Sequence, residues 1–204
     1  MGLFDSLKRM VGSSVEREAN TAINNAVKGA VDNAVGKGRN REETFTFASL
    51  PTSVAELKAL PEASLDSAFK TTALTIAVLC NYDANPDATI EMLDFLKGPE
   101  SVSGFEKQFI REHLKDQVYK ARSYFAGATP QNNYTPSTPY TITVIETPYS
   151  FDNENWATLY IRSGGADNPR NIKLRKKPST GQWFLNDIQC LSQIRKPASE
   201  DAWA

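Results

Sequence analysis

The sequence predicts an α+β domain. We expect a helical layer of three to four helices packed on a C-terminal antiparallel sheet of about four strands. Two observations support this. Between residues 53 and 118, apolar residues recur at helical spacing, and beyond Ala126 they alternate with polar residues in short segments separated by turns. Helices followed by hairpin-linked strands are typical of an α+β domain with an antiparallel sheet.

The stretch from Ser64 to Tyr82 is predicted to be the central helix of this layer. Ser64 fits the N-cap position, and Asp66 places a negative charge in the first turn, where it suits the helix dipole. From Ala73 to Cys80 the stretch has almost no polar face. A helix that is apolar all round is buried on most sides, so we expect the other elements to pack around it. The run is too short and too often interrupted by polar residues to span a bilayer.

The overall composition excludes several classes of protein. Of 204 residues, 40% are hydrophobic, and the net charge of −1 predicts no global attraction to nucleic acid or membranes. Cys80 and Cys190 lie in apolar surroundings, which favours buried free thiols over a disulfide. Charged residues from Glu16 to Glu18 interrupt what a signal peptide would need as an apolar run. We therefore expect a cytoplasmic protein, with peripheral attachment to a membrane as an alternative.

The N-terminal region, residues 1–37, is predicted to be a separate amphipathic helix. Pairs of alanine with isoleucine or valine recur every four residues from Ala22 to Val35, which gives a slowly winding stripe of small apolar groups. A linker is predicted at residues 38–43, the α+β domain at 44–197, and a polar tail at 198–204.

Three roles stay open for this helix. It docks on the domain, it binds a protein partner or a second copy through residues 1–36, or it makes weak contact with a membrane surface. The Asn-rich polar face and the absence of Trp argue against the membrane. The candidate assembly or membrane residues are Leu3, Phe4, Leu7, Val11, Ala26, Val27, Ala30 and Val31.

Local signals place the remaining helices. Ser53 and Glu56 form a capping box before a brief helix that Pro61 stops. Asn85 and Pro86 fit the N-cap and first turn of a helix that ends at Lys97, before Gly98-Pro99. Ser103 and Glu106 form another capping box. The helix that follows is expected to bury Phe105, Phe109, Ile110, Leu114 and Val118.

Alternating residues place the strands. Phe45 and Phe47 alternate with threonines and indicate a short strand or an extended arm before the helices. The four predicted C-terminal strands carry Tyr140 to Val144, Ala157 to Ile161, Ile172 to Leu174, and Trp183 to Leu185.

Three stretches carry a resemblance to a known family. They are Phe47–Ser53 (FASLPTS), Tyr124–Pro130 (YFAGATP), and Ile161–Asp167 (IRSGGAD), the last accompanied by Gly181–Leu185 (GQWFL). Together they resemble an uncharacterised bacterial family over about residues 44–204. The resemblance implies a bacterial, cytoplasmic protein, and it implies no activity, cofactor or site residue.

No catalytic or metal-binding motif stands out. His113 has no second histidine or cysteine nearby, and the sequence lacks a nucleophile elbow, a phosphate loop and a zinc-protease motif. Asp83–Asp94 approaches an EF-hand loop, but Ala88 replaces the required glycine and Asp94 is shorter than the usual glutamate. A capped helix–helix turn is the better interpretation, and we predict no catalytic residue, cofactor or metal.

A basic sheet face is the remaining candidate site. If the apolar residues of the second and third C-terminal strands face the helices, Tyr160, Arg162, Lys173 and Arg175 share the opposite face. Asp167 is the only nearby acid in that stretch. Such a face suits single-stranded nucleic acid or an anionic partner, and a solvated face is the alternative. Arg170, Lys176 and Lys177 are expected to extend it.

The sequence alone does not determine a function. The preferred hypothesis is a non-enzymatic binding or scaffold module whose N-terminal helix mediates self-assembly, partner binding or membrane-surface attachment. The alternatives are an enzyme with an unrecognised cleft and a module that binds an anionic ligand or nucleic acid through the basic face. A deep pocket lined by paired carboxylates, or by arginine and tyrosine, would favour the enzyme.

Overall fold

The computed structural model of the protein describes residues 41–202. The predicted N-terminal helix, the first half of the predicted linker and the last two residues of the polar tail lie outside these residues. The candidate assembly or membrane residues, from Leu3 to Val31, therefore lie outside them as well, and their proposed roles stay predictions.

The described residues form five α-helices and five strands, so the α+β prediction is confirmed. The helices are α1 (Val54–Ala59), α2 (Ala68–Leu79), α3 (Pro86–Lys97), α4 (Gly104–Leu114) and α5 (Tyr119–Arg122). The strands are β1 (Glu42–Phe47), β2 (Tyr140–Ile145), β3 (Trp156–Ile161), β4 (Arg170–Lys176) and β5 (Trp183–Ile188).

The five strands form one antiparallel sheet in the order β1-β2-β3-β4-β5. The sheet thus has one strand more than predicted, because β1, from before the helices, pairs with β2 along its whole length. Phe45 lies opposite Ile142 in this register, and both side chains are buried. Burying Phe45 and Phe47 in the core explains why the segment is a strand of the sheet and not a free arm.

Helix α2 lies across the inner face of the sheet and is buried along nearly its whole length. It begins at Ala68 with Ser67 as N-cap, later than the predicted start at Ser64. Pro61–Ser64 forms a short 3₁₀ turn, and Leu65 then takes a left-handed φ of 54°, which breaks the helical path. The delayed start leaves the carbonyl of Leu65 free to accept a hydrogen bond from Trp183 N at 2.8 Å.

Three threonines are buried in this apolar helix without leaving an unpaired hydroxyl. The hydroxyl of Thr72 donates to the carbonyl of Ala68 at 2.9 Å, and that of Thr75 to the carbonyl of Thr71 at 2.8 Å. The hydroxyl of Thr71 itself reaches the carbonyl of Trp183 on β5 at 2.8 Å. Helix and sheet are thus joined by hydrogen bonds as well as by apolar contact.

The predicted caps of α3 and α4 are confirmed, and the end of α4 differs from the prediction. The Asn85 side chain accepts from Ala88 N, and Ser103 and Glu106 make both bonds of a capping box. Helix α4 stops at Leu114 because Asp116 takes a positive φ of 59°, so Val118 belongs to the next turn. Phe105, predicted to be buried, lies in the first turn and is 79% exposed.

Both cysteines are free and buried, as predicted. Burial raises the pKa of each thiol to about 12, so both stay protonated at physiological pH. No helix among residues 41–202 is long and apolar enough to cross a membrane.

Candidate functional site

The outer face of the sheet, opposite α2, carries the candidate site. Leu159 and Ile172 pair inward, whereas Tyr160 and its partner Asn171 point outward. The same alternation places Trp156 beside Arg175 on the outer face. The outward residues of β3 and β4 are half-buried to exposed, so this face is open to solvent: Trp156, Thr158, Tyr160, Asn171, Lys173 and Arg175.

Two of the predicted basic residues, Arg162 and Lys173, lie close to acids. Arg162 Nη2 lies 3.3 Å from Glu42 Oε1, and Lys173 Nζ lies 3.9 Å from Asp187 Oδ2. The sequence prediction counted only Asp167, which instead pairs with Arg195 at the end of the domain. The acids come from β1 and β5, distant in sequence, so the face is less positive than the sequence indicated.

Arg170 does not extend the outer face as predicted. It lies opposite Ile161, on the core-facing side of the ladder. Its guanidinium donates to the carbonyls of Ser192 at 3.3 Å and Gln193 at 3.0 Å, so it holds the C-terminal segment.

The two lysines of the β4–β5 hairpin lie near one end of the face. Lys176 shares the side of Ile172 and Leu174, so it does not extend the outer face as predicted; it lies opposite Trp183, with its Nζ 5.7 Å from the indole ring. Lys177 is exposed where the hairpin turns. Both residues border the cleft described next.

A cleft of about 430 Å³, which we call the Trp156 cleft, lies at this end of the sheet. Arg175 is central to it: its guanidinium carbon lies 5.2 Å from the Trp156 ring centroid, and its Nη1 lies 3.7 Å from Glu100 Oε1. The cleft therefore combines aromatic surface with both signs of charge. It is lined by Lys97, Pro99, Glu100, Glu154, Asn155, Trp156, Arg175, Lys176, Lys177, Pro178, Phe184 and Asn186.

A half-buried ion pair lies beside the Trp156 cleft. Lys97 Nζ donates to Glu106 Oε1 at 2.6 Å and to the carbonyl of Asn186 at 3.4 Å, which ties the end of α3 to α4 and β5. Partial burial alone would raise the pKa of Glu106. Hydrogen bonds from Lys97 and Ser103 outweigh that effect and hold the pKa below its usual value.

Sequence reasoning missed two features of the Trp156 cleft. Trp156 continues the outward alternation of Thr158 and Tyr160, so the period of two could have identified it. Phe184 lies between Trp183 and Leu185, so the same alternation could have placed it outward, beside Arg175 across the sheet. It packs there because Gly98 closes α3 with a positive φ of 66°, and a Cβ at that glycine would overlap the Phe184 ring.

Two of the stretches that carry the family resemblance meet beside β2. Gly164 N donates to the carbonyl of Ser123 at 2.8 Å, and the Ser163 hydroxyl donates to that of Ser123 at 2.7 Å. A Cβ at Gly164 would overlap the carbonyl oxygen of Ala128. This close packing gives the two loops a structural role beside a shallow groove of about 420 Å³.

The near-match to an EF-hand is largely helical. Helix α3 begins at Pro86, inside the stretch that would have to form the loop. Asp94 Oδ1 accepts from Val102 N at 2.6 Å, and Asp83 Oδ1 accepts from Asp116 N at 3.2 Å, so both carboxylates already bind backbone. Within residues 41–202, no cluster of three or more histidine, cysteine, aspartate or glutamate side chains is arranged to hold a metal ion.

His113 packs along its own helix. Its ring centroid lies 4.1 Å from that of Phe109, and its Nδ1 lies 2.9 Å from the Phe109 carbonyl. These contacts account for the half-buried ring without a catalytic role.

A family model described as "Domain of unknown function (DUF6935)" matches residues 49–198. No curated protein and no solved structure matched the chain.

Proposed function

The chain belongs to the DUF6935 family, and from the geometry of its outer sheet face we propose that this domain is a non-enzymatic binding module for a protein partner. The observation that carries the proposal is the Trp156 cleft on an open sheet face. Aromatic and arginine side chains are the residue types that dominate binding energy at protein interfaces. Trp156, 38% exposed, and Arg175 supply both there.

The charges of the outer sheet face favour a peptide segment over a nucleic acid. Glu42, Glu100 and Asp187 each lie next to a basic residue of the face and would repel a run of phosphates. A partner that places an apolar side chain against Trp156 and Phe184, and a carboxylate near Lys177, matches both kinds of surface.

The test is selection of peptides on the full-length chain, followed by titration of the selected peptides. Trp156→Ala should weaken binding by roughly 30-fold or more, as for an interface hot spot. The double variant Arg175→Glu, Lys177→Glu should abolish binding of acidic peptides. Lys107→Glu, Lys115→Glu is the matched control, because both lysines are exposed on or after α4 and neither lines the cleft.

The control should bind as the wild type does, and unfolding midpoints of all variants should stay close to that of the wild type. Selected peptides that bind Trp156→Ala as tightly as the wild type would overturn the proposal.

Titration with mixed-sequence single-stranded DNA and RNA at low salt tests the alternative ligand. If either binds and the triple variant Arg162→Glu, Lys173→Glu, Arg175→Glu removes the binding, the face is a nucleic-acid surface instead. Absence of binding to both would eliminate that alternative.

The enzyme alternative depends on the two carboxylates of the cleft, Glu100 and Glu154. Glu100 lies beside Arg175, where its carboxylate can hold the guanidinium in place. We assign these carboxylates to ligand orientation. Turnover of any bound ligand that stops in Glu154→Gln would contradict this assignment.

Residues 1–36 complete the proposal as the segment that attaches or assembles the module. The support is the small-residue stripe in the sequence, which permits close approach of another helix. On this proposal, the outer sheet face binds the ligand, and the N-terminal segment determines where the protein is attached or assembled.

A further inference from the structure

The two edge strands of the sheet differ in whether their outward-pointing backbone N–H and C=O groups are hydrogen-bonded. On β5, Trp183 N donates to the carbonyl of Leu65 at 2.8 Å, and the Trp183 carbonyl accepts from the Thr71 hydroxyl at 2.8 Å. On β1, no group within residues 41–202 bonds to the backbone on the side away from β2. The β1 edge is therefore the open edge of the described sheet.

The hydrogen-bond pattern identifies the residues that face outward from this edge. Glu146 N donates to the carbonyl of Arg41 at 2.7 Å, so Arg41 is a hydrogen-bonded partner across the β1–β2 ladder. Hydrogen-bonded and non-bonded pairs alternate along antiparallel strands. Phe45 and Phe47 therefore bond to β2, and the N–H and C=O groups of Thr44 and Thr46 point away from it.

A bond on the far side of β2 supports this assignment. Thr141 lies opposite Thr46, and its carbonyl accepts from Ala126 N at 2.8 Å, on the side away from β1. Thr46 and Thr141 thus form a non-bonded pair, as the alternation from Arg41 requires.

Apart from the charges of Glu42 and Glu43 at its start, the β1 edge lacks the features that usually block strand addition. Its register with β2 is continuous over six residues, without a bulge. Residues 44–47 (TFTF) contain no proline and no charge. An edge of this kind accepts another extended strand through backbone hydrogen bonds.

We propose that β1 pairs antiparallel with β1 of a second copy of this chain, centred on Thr44. Each Thr44 then faces Thr44 of the other copy, and Glu42 faces Thr46. In this register the charged residues 41–43 lie opposite the uncharged residues 45–47, so no like charges meet. Within one copy, the Thr44 and Thr143 hydroxyls are 2.9 Å apart across β1 and β2. The proposed pairing places a second Thr44 on the other side of Thr44, which extends this row of threonines.

The pairing has a defined symmetry. A two-fold axis perpendicular to the sheet passes between the two Thr44 residues, and the contact uses the same surface of both copies. The two five-stranded sheets become one continuous sheet with both outer faces on the same side. The two Trp156 clefts therefore face one partner surface together.

Cysteine cross-linking of the full chain tests the register directly. Thr44→Cys places its thiols in a hydrogen-bonded pair with Cα atoms about 5.5 Å apart, within disulfide range. Thr46→Cys is the matched control, since Thr46 is also exposed on the same face but lies about 14 Å from Thr46 of the second copy in this register. Cys80 and Cys190 are buried, so the wild type should remain uncross-linked.

Under mild oxidation, Thr44→Cys should form a disulfide dimer, and Thr46→Cys should not. Equal cross-linking of both, or of neither, would overturn the proposed pairing. This outcome is independent of peptide binding in the Trp156 cleft, so the two proposals fail separately.

Sedimentation of the full chain provides a second test. Thr44→Pro removes an N–H that points away from β2, so the β1–β2 bonds remain while the outer edge loses a donor. It should raise the dimer dissociation constant at least about tenfold. Thr44→Val keeps the N–H and should match the wild type. A monomeric wild type would contradict the proposal. A Thr44→Pro variant that dimerises as tightly as the wild type would contradict it too, and would show that the chain associates through another surface.

Discussion

Lys97 is a charged side chain inside the protein, with 6% of its surface exposed. Its ammonium group is held by Glu106 and by the Asn186 carbonyl. Lys97→Ala removes the charge-assisted hydrogen bond to half-buried Glu106, so it should cost about 2 kcal/mol of unfolding free energy. Lys107→Ala, an exposed lysine on the same α4 helix as Glu106, should stay within about 0.5 kcal/mol. Urea unfolding measures both, and equal effects would show that the pair is dispensable.

Glu146 is buried and lies near charges of both signs, Arg41 and Glu43. Burial raises its pKa, and nearby Glu43 adds to that effect, while Arg41 opposes it. A carboxyl whose pKa is raised by folding is favoured in its protonated form, so its contribution to stability is lost as pH rises from the unfolded pKa through the folded one. Glu146→Gln, which carries no charge, should therefore raise the melting temperature at pH 7.

The gain from Glu146→Gln should vanish below about pH 4, where the wild-type carboxyl is protonated in both states. Thermal scans of both proteins at the two pH values measure the difference. A gain of the same size at both pH values would mean that the charge is not its cause.

At the scale of single elements, the loops of residues 123–129 and 162–166 depend on close backbone contact. Gly164→Ala would press a methyl group into the Ala128 carbonyl and should cost about 2 kcal/mol or more. Gly104→Ala is the matched control, because nothing lies within 4 Å of its Cβ position at the start of α4. Denaturant midpoints of the two variants should differ clearly, and similar midpoints would contradict the packing argument.

The turn into α3 is expected not to bind calcium. Asp83 and Asp94 already accept backbone N–H groups, and the helix between them prevents the loop from wrapping round an ion. Calcium should leave the melting temperature unchanged, since only a ligand that binds the native state stabilises it. A calcium-dependent rise that Asp83→Ala removes would reverse this conclusion.

Elements whose signals are local could be predicted from the sequence. Asn85 and Ser103 begin α3 and α4 where their capping patterns indicated, because a cap involves residues only three apart. The start of α2 could not be predicted in the same way. Ser64 and Ser67 both suit an N-cap. Ser67 is the N-cap because the carbonyl of Leu65 accepts a hydrogen bond from Trp183, which is distant in sequence.

The candidate site was predicted only in part, for a related reason. Alternation along β3 and β4 placed Tyr160, Lys173 and Arg175 on one face, as the register shows. Their neighbours Glu100 and Asp187 come from other elements, so the balance of charge emerges only when the chain is folded.

At the scale of the whole molecule, residues 1–40 and the domain are predicted to have separate roles. Deleting residues 1–40 should leave a domain that unfolds cooperatively, because residues 45–194 form a continuous core within the described part of the chain. The deletion should change the association state or the location of the protein, as expected for a segment that attaches the module.

Circular dichroism during thermal unfolding, together with light scattering, measures both consequences of the deletion. A truncated chain that does not fold would show that the N-terminal segment belongs to the core.

The order of elements along the chain has a consequence for synthesis. Strand β1 leaves the ribosome before the helices, and its partner β2 follows only after residues 48–139. At about 5–20 residues per second, the ribosome needs roughly 5 to 20 s to make that interval. During this time Phe45, Phe47 and the apolar surface of α2 have no sheet to bury them. The nascent chain thus presents to chaperones a surface that the finished protein hides.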